Sequence, residues 1–449
     1  MKIKKVKWKN HDVLGNLELD FTNPTTGQAF DSIILAGENG TGKTSILETL
    51  SAFLNMGTFK PFDFIEYEID GQVYKAIPQT EYPTQYSFFD LINPDGTVRK
   101  IRSDRMNQPQ SIATDNLDIR SFGCVFSKAR ADYKTGQIQS TTTRKLDIDK
   151  YDVDSEDDFT SLKQLIVDVE NQDNSDYVEL NKGLREAPRS WDDFYLTSRV
   201  FRFKNAFDNF FGRLKYYRVS DVGSEKNILF AKNGKTVLID QLSTGEKQIV
   251  FRGIYLLKNN KNLGGAVILI DEPELSMHPK WQRNVLKYYK GLFVDSGVQK
   301  AQLFFASHSE HILKEALSAG AENLVIILWE DSGQIKSKKI DAPSVLPSIT
   351  AAETNYLAFD IVSSDYHIEL YGWLQDKQGG LSVKACDSFI VSHSEYRAAL
   401  HWKPSSYGSI TYETLCTFIR NAIHHPVPAK TFTETEMRTS IELLIELCR

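Results

Sequence analysis

Lys43 and Thr44 close the run Gly37-Glu38-Asn39-Gly40-Thr41-Gly42-Lys43-Thr44, where glycines, a lysine and a hydroxyl are spaced to grip a phosphate chain. Glycines let successive backbone N–H groups turn toward one anion, and a helix N-terminus behind them adds its dipole. In such a loop the lysine reaches the β- and γ-phosphates of a nucleotide and the hydroxyl holds Mg²⁺. Apolar Ile33-Ile34-Leu35-Ala36 precedes the run and Ser45-Ile46-Leu47-Glu48-Thr49-Leu50 follows it, which predicts strand, loop and helix in the required order. Three later places also carry reactive groups. Asp271 and Glu272 end the apolar stretch Ala266–Ile270, His308 ends Leu303–Ser307, and Ser243-Thr244-Gly245-Glu246 opens a helix, where by itself it is an ordinary N-cap.

Taken together, these segments resemble the ABC-type ATPases, in the SMC, RecF and OLD-like branches. Leu242-Ser243-Thr244-Gly245-Glu246-Lys247-Gln248 is similar to their signature motif, Ala266–Glu274 to their Walker B strand, and His308 to their switch histidine. The separations, 28 residues from Ser243 to Asp271 and 37 from Asp271 to His308, suit one αβ core. The resemblance implies ATP and Mg²⁺ as cofactors. It implies nucleotide contacts from Gly37, Asn39, Gly40, Thr41, Gly42, Lys43, Thr44 and Ser45, and from Ser243, Gly245 and Glu246. Thr44 and Asp271 would hold the metal, Glu272 would polarise the attacking water, and His308 would sense the γ-phosphate. The signature of one subunit would complete the site of another, so a homodimer or higher homo-oligomer joined by an ATP sandwich is expected.

Bulk properties set bounds. A chain of 449 residues suggests two or three domains, and a net charge of −6 gives no global pull on nucleic acid. Five lysines lie within Met1–Lys9, but Ile3, Val6 and Trp8 alternate with them, which reads as a solvated edge strand. No run of 18 apolar residues and no signal-peptide core occur, so no membrane association and a cytoplasmic protein are expected. The four cysteines, Cys124, Cys386, Cys416 and Cys448, form no C-x-x-C pair and indicate neither a zinc site nor a disulfide framework.

Lys43 and Ser243 stand 200 residues apart, room for an insertion smaller than an SMC coiled-coil arm. Phe64–Tyr74 reads as a hairpin with an Asp70-Gly71 turn. Phe159, Leu162, Leu165, Ile166 and Val169 have helical spacing, with Ser155–Asp158 as a capping box, and resemble the helical lid of RecF- and OLD-like ATPases. The acidic run Asp147–Asp158 lacks the glycine and final glutamate of a Ca²⁺ loop and reads as solvated. Either Gln137 or Gln139 stands for the family's glutamine loop. The expected fold class is α/β, an ABC-type P-loop core with a helical lid insertion and a mainly helical C-terminal extension. The expected domains are an N-terminal lobe at 1–145, a lid at 146–220, a C-terminal lobe at 221–345 and a helical domain at 346–449.

Beyond residue 330 no D-x-D pair occurs, so the metal-dependent TOPRIM nuclease of OLD proteins is not expected. Asn355–Asp360 followed by His367–Gly372 resembles the C-terminal extension of PtuA-type ATPases of the Septu anti-phage system and of some retrons. That resemblance implies a separate HNH nuclease partner, PtuB-like, that the ATPase controls. Arg420 and His425 also resemble the Arg-x4-6-His motif of HEPN ribonucleases, although Pro426 fits a plain helix stop. Three readings therefore stand: a defence ATPase with a partner nuclease, an ATP-gated ribonuclease using Arg420 and His425, and a RecF-like DNA-repair ATPase with DNA as a partner.

Overall fold

Every residue of Ser32–Gly37 is buried, because this strand is covered on both faces and hydrogen-bonded along both edges. The computed structural model describes residues 1–56, 58–79, 88–102, 124–130, 135–141, 151–153, 159–182, 189–222, 225–257, 264–295, 297–340 and 343–449. Its seven-stranded central sheet runs Gln334–Ile340, Leu324–Asp331, Ser32–Gly37, Gln302–Ser307, Val267–Asp271, Cys124–Ser127, Tyr151–Val153. From Leu324–Asp331 to Tyr151–Val153 the neighbours pair in parallel, and the register sets Ser307 beside Ala36, Asp271 beside Ala306 and Ser127 beside Ile270. The carboxyl ends of these strands thus share one edge, the place where open α/β sheets bind ligands.

A six-stranded antiparallel sheet shares one apolar core with the central sheet. Lys2–Trp8 is its second strand, between Glu18–Asp20 and Phe62–Ile69, so the expectation of an edge strand is corrected. Ile3, Val6 and Trp8 are fully buried, and Lys2, Lys4, Lys5 and Lys7 pair with Asp31, Glu68, Asp20 and Asp63. Asp70 and Gly71 both take positive φ, 50° and 78°, the geometry of a tight two-residue hairpin turn. Ile46, Leu50 and Phe53 of helix Lys43–Met56 join the same core, which anchors the phosphate loop's helix.

Within the span expected as a lid, the helices Thr160–Asn181, Trp191–Tyr195 and Arg199–Phe210 lead into a three-stranded sheet over Leu214–Leu238. Buried Asp173 accepts the Arg199 and Val200 N–H groups at 3.1 and 2.9 Å, capping the helix that follows. Of the acidic run, Tyr151–Val153 forms a short strand. The rest of it, including the expected cap at 155–158, lies outside the described residues.

The chain divides into two units, one of Met1–Ala316 with Ala321–Lys339, the other of Ile340–Arg449 with Leu317–Gly320. The second unit is mainly helical around its own apolar core and carries a hairpin, Trp402–Tyr407 with Ile410–Thr414. Thr350, Ser363, Ser382, Thr414 and Thr433 each accept a first-turn N–H, so local sequence fixes where its helices start. Among the described residues no helix is long and apolar enough to cross a membrane.

Candidate functional site

At Gly37 the backbone has φ 140°, and a Cβ there would lie 2.1 Å from the Leu328 carbonyl oxygen, so only glycine lets the chain leave the sheet at this point. Gly40 and Gly42 follow with φ 86° and 84°, and helix Lys43–Met56 begins directly behind them. The Lys43 ammonium is buried under the loop and donates to the Gly37 and Glu38 carbonyls at 2.8 and 2.7 Å. Burial pushes its pKa down, opposed by Glu272, Asp271, Glu274 and Glu38. Asn39, Gly40 and Thr44 face solvent, whereas the Thr41 hydroxyl turns inward and donates to the Glu38 carbonyl at 2.9 Å.

Two strands away from the loop, Asp271 closes Val267–Asp271. The Thr44 hydroxyl donates to its two carboxylate oxygens at 3.2 and 3.1 Å, joining residues 227 positions apart. Burial raises the Asp271 pKa to about 6, opposed by the Thr44 bond and Arg252 and assisted by Glu272 and Glu274. A hydroxyl and a buried carboxylate form an all-oxygen donor set, and this fits Mg²⁺. Its charge would favour the ionised carboxylate that burial disfavours.

Glu272 adopts φ 42°, in the left-handed region, held there by its own N–H donating to the Ala306 carbonyl at 2.9 Å. Its side chain remains partly exposed, and His308 Nδ1 lies 4.0 Å from its carboxylate. Glu274 is buried instead and accepts the Ser307 hydroxyl at 2.8 Å and the His308 N–H at 3.0 Å. The strand-end carboxylate with an open face is therefore Glu272.

Ser243 is exposed and begins helix Thr244–Leu257. Glu246 accepts the Ser243 N–H and hydroxyl, each at 2.9 Å, in a capping box, and pairs with Lys232 at 2.8 Å. Burial would raise its pKa, yet the Lys232 and Ser243 bonds prevail and lower it. Glu246 was expected at the nucleotide; its carboxylate faces inward and serves the helix start. A Cβ at Gly245 would lie 2.6 Å from the Ser276 carbonyl, so the helix packs hard on the segment after Asp271 and Glu272. Among the described residues no hydrogen bond links Ser243 or Gly245 to the 37–45 loop.

Gln137 and Gln139 are both exposed, while their segment is tied down by the Gly136 N–H to Thr160 and by the Ile138 carbonyl to Lys226. Ser127, ten residues before Gln137, is the residue that ends the sheet strand near the site. Arg420 donates to Asn421 at 3.0 Å, and His425 stacks on Tyr407 with ring centroids 4.5 Å apart. No described contact brings those two side chains together on a shared group.

Arg252 is a member of the site that the sequence reading missed. Its buried guanidinium donates to the Ser127 hydroxyl and carbonyl at 2.9 and 2.8 Å, to the Glu272 carbonyl at 3.0 Å and to the Asp271 carbonyl. The signal was present: one arginine inside the apolar helix stretch Ile249–Leu257. Glu274 was visible within Asp271-Glu272-Pro273-Glu274 but carried no assigned role.

Residues 32–314 match the protein family described as "AAA domain, putative AbiEii toxin, Type IV TA system". The chain is 24% identical over 358 residues to the "Retron Vc95 probable ATPase" of Vibrio cholerae serotype O1 biovar El Tor, covering 65% of this chain and 68% of that protein. It is 24% identical over 338 residues to the "Septu protein PtuA" of Bacillus thuringiensis, covering 70% and 73%. Among solved structures, the SMC head domain from Thermotoga maritima aligns with a TM-score of 0.39 at 13% identity, over 76% of this chain and 100% of that one. An SMC head bound to the C-winged helix domain of ScpA gives a TM-score of 0.41 at 14% identity, over 76% and 99%.

Proposed function

We propose that this chain, which belongs to that AAA-domain family and is a PtuA-like ABC-type ATPase, couples ATP binding and hydrolysis to control of a partner nuclease in anti-phage defence. The observation that carries the hydrolytic reading is the Thr44–Asp271 hydrogen bond, with Glu272 and His308 beside it at the ends of adjacent strands. The loop amides and Lys43 hold the β- and γ-phosphates, and Thr44 with Asp271 would hold Mg²⁺, which neutralises charge on the phosphates when bound. Glu272 takes a proton from the attacking water, and His308 meets the γ-phosphate. The exposed Ser243 at a helix start suits a contact to the nucleotide of a second copy, which supports a head-to-tail homodimer or larger oligomer.

Similarity to the retron ATPase and to the Septu protein supports the defence setting. The partner would be an HNH nuclease, PtuB-like, acting on DNA in the cytoplasm. Two measurements test the proposal. Glu272→Gln should keep nucleotide affinity and lower kcat by about 10²–10³, since it neutralises the base alone; an unchanged kcat rejects Glu272 as the base. The purified chain should cut neither DNA nor RNA, with DNA cleavage appearing only when the HNH partner is added. RNA cleavage that disappears in His425→Ala would replace the partner-nuclease reading with a ribonuclease.

A further inference from the structure

We propose that Glu274 is a positioning residue for His308, turning the imidazole so that Nδ1 faces carboxylates and Nε2 faces the γ-phosphate. The inference rests on the ATPase reading of Glu272 and His308. Glu274 leaves the end of the Asp271 strand and reaches across to the neighbouring strand. There a single oxygen, Oε1, accepts both the Ser307 hydroxyl and the His308 N–H, at 2.8 and 3.0 Å. The same oxygen lies 3.6 Å from His308 Nδ1, and Glu272 Oε1 lies 4.0 Å from it. Nδ1 is the ring atom these two carboxylates approach, while 45% of the side chain stays open to solvent.

The surroundings argue that the charge, and not only the hydrogen bonds, matters. Glu274 is only 4% exposed, and its second oxygen, Oε2, has no hydrogen-bond partner. An amide oxygen would accept the same two bonds without placing a charge in this buried position. Burial raises the Glu274 pKa, opposed by the His308 N–H, the Ser307 hydroxyl and the His308 ring. The negative charge a carboxylate can carry, and an amide cannot, faces Nδ1 at 3.6 Å and would favour the proton on that nitrogen, leaving the other edge of the ring turned outward. Ser307 braces the arrangement, since its hydroxyl also accepts the Ser309 N–H at 3.0 Å.

The test uses the full chain and steady-state ATP hydrolysis. Glu274→Gln should lower kcat about tenfold with KM for ATP within about twofold, and the His308→Ala, Glu274→Gln double variant should be no slower than His308→Ala alone. Losses that multiply in the double variant, a change confined to KM, or an unchanged kcat would each overturn the proposal. A second measurement needs no Glu274 variant to fold. In ¹⁵N-histidine spectra of the wild type, the His308 signal, assigned by its absence in His308→Ala, should show a protonated Nδ1; a neutral ring protonated at Nε2 overturns the proposal. Should His308→Ala hydrolyse ATP at the wild-type rate, the parent assignment fails by itself, and the ring spectrum still decides how Glu274 holds the histidine.

Discussion

Asp271 and Asp387 are both buried aspartates, one in each unit, and their surroundings differ in kind. Asp387 accepts the Glu413 and Thr414 N–H groups at 3.0 and 3.1 Å and the Thr414 hydroxyl at 2.8 Å, so hairpin and helix bonds saturate it. Asp271 has one hydroxyl shared between its two oxygens, two further carboxylates nearby and a pKa pushed up to about 6 by burial. Burial alone therefore does not mark function. A buried carboxylate satisfied by backbone donors is scaffold, while one left with free lone pairs at the open end of a parallel sheet is held for a ligand.

The largest expected effect on this contrast is Lys43→Ala, which should abolish ATP binding and hydrolysis, read by equilibrium dialysis and phosphate release; wild-type turnover would erase the distinction between the two sites. Next, Asp271→Asn should lose hydrolysis yet stabilise the fold at neutral pH. The folded pKa, about 6, exceeds the ordinary 3.8, so between these values the native state keeps a proton that the unfolded chain has released. Stability from this group is therefore full below pH 4, falls as pH rises to 6 and stays lost above it, by about 3 kcal/mol. Asparagine should flatten that window in denaturant titrations at several pH values.

Asp387→Ala should do the opposite: lower the stability of the second unit by about 3 kcal/mol through its orphaned donors, leaving ATP affinity unchanged. A shift in ATP affinity would show that the second unit is more than scaffold for the nucleotide. The smallest contrast compares two capping boxes. Thr433→Ala should cost about 1 kcal/mol in thermal unfolding and nothing in turnover, whereas Ser243→Ala should cost a similar amount and also slow hydrolysis. Equal turnover in the two variants would argue against Ser243 acting on nucleotide.

What the sequence made legible was whatever is local in the chain. The glycine loop, the Asp271-Glu272 strand end and the Asp70-Gly71 turn are each set by neighbouring residues, so their types and spacing carry the geometry. Arg252 and Glu274 were less legible because their partners come from distant segments: Ser127 is 125 residues from Arg252 and His308 is 34 from Glu274. Glu246 carries a double signal for a related reason. A glutamate three residues after a serine at a helix start satisfies both a nucleotide motif and a capping box, and Lys232, contributed by another strand, accompanies the second use. The placing of Lys2–Trp8 inside its sheet depended on the three-residue strand Glu18–Asp20, too short to announce itself by alternation.

The Arg252 guanidinium also says how this region should come apart. Among the described residues it has no carboxylate partner in its hydrogen bonds and serves carbonyls from two strand ends. The Glu272 carbonyl also accepts the Leu275 N–H, so a tilt of the helix beginning at Thr244 takes a donor chiefly from the Ser127 and Asp271 carbonyls. Opening of the helix and release of the Asp271-Glu272 strand end should therefore be a single cooperative event. In native-state hydrogen exchange, the amides of helix Thr244–Leu257 and the Glu272 amide should exchange with one common free energy, and Arg252→Lys, lacking the planar fork, should split them into two.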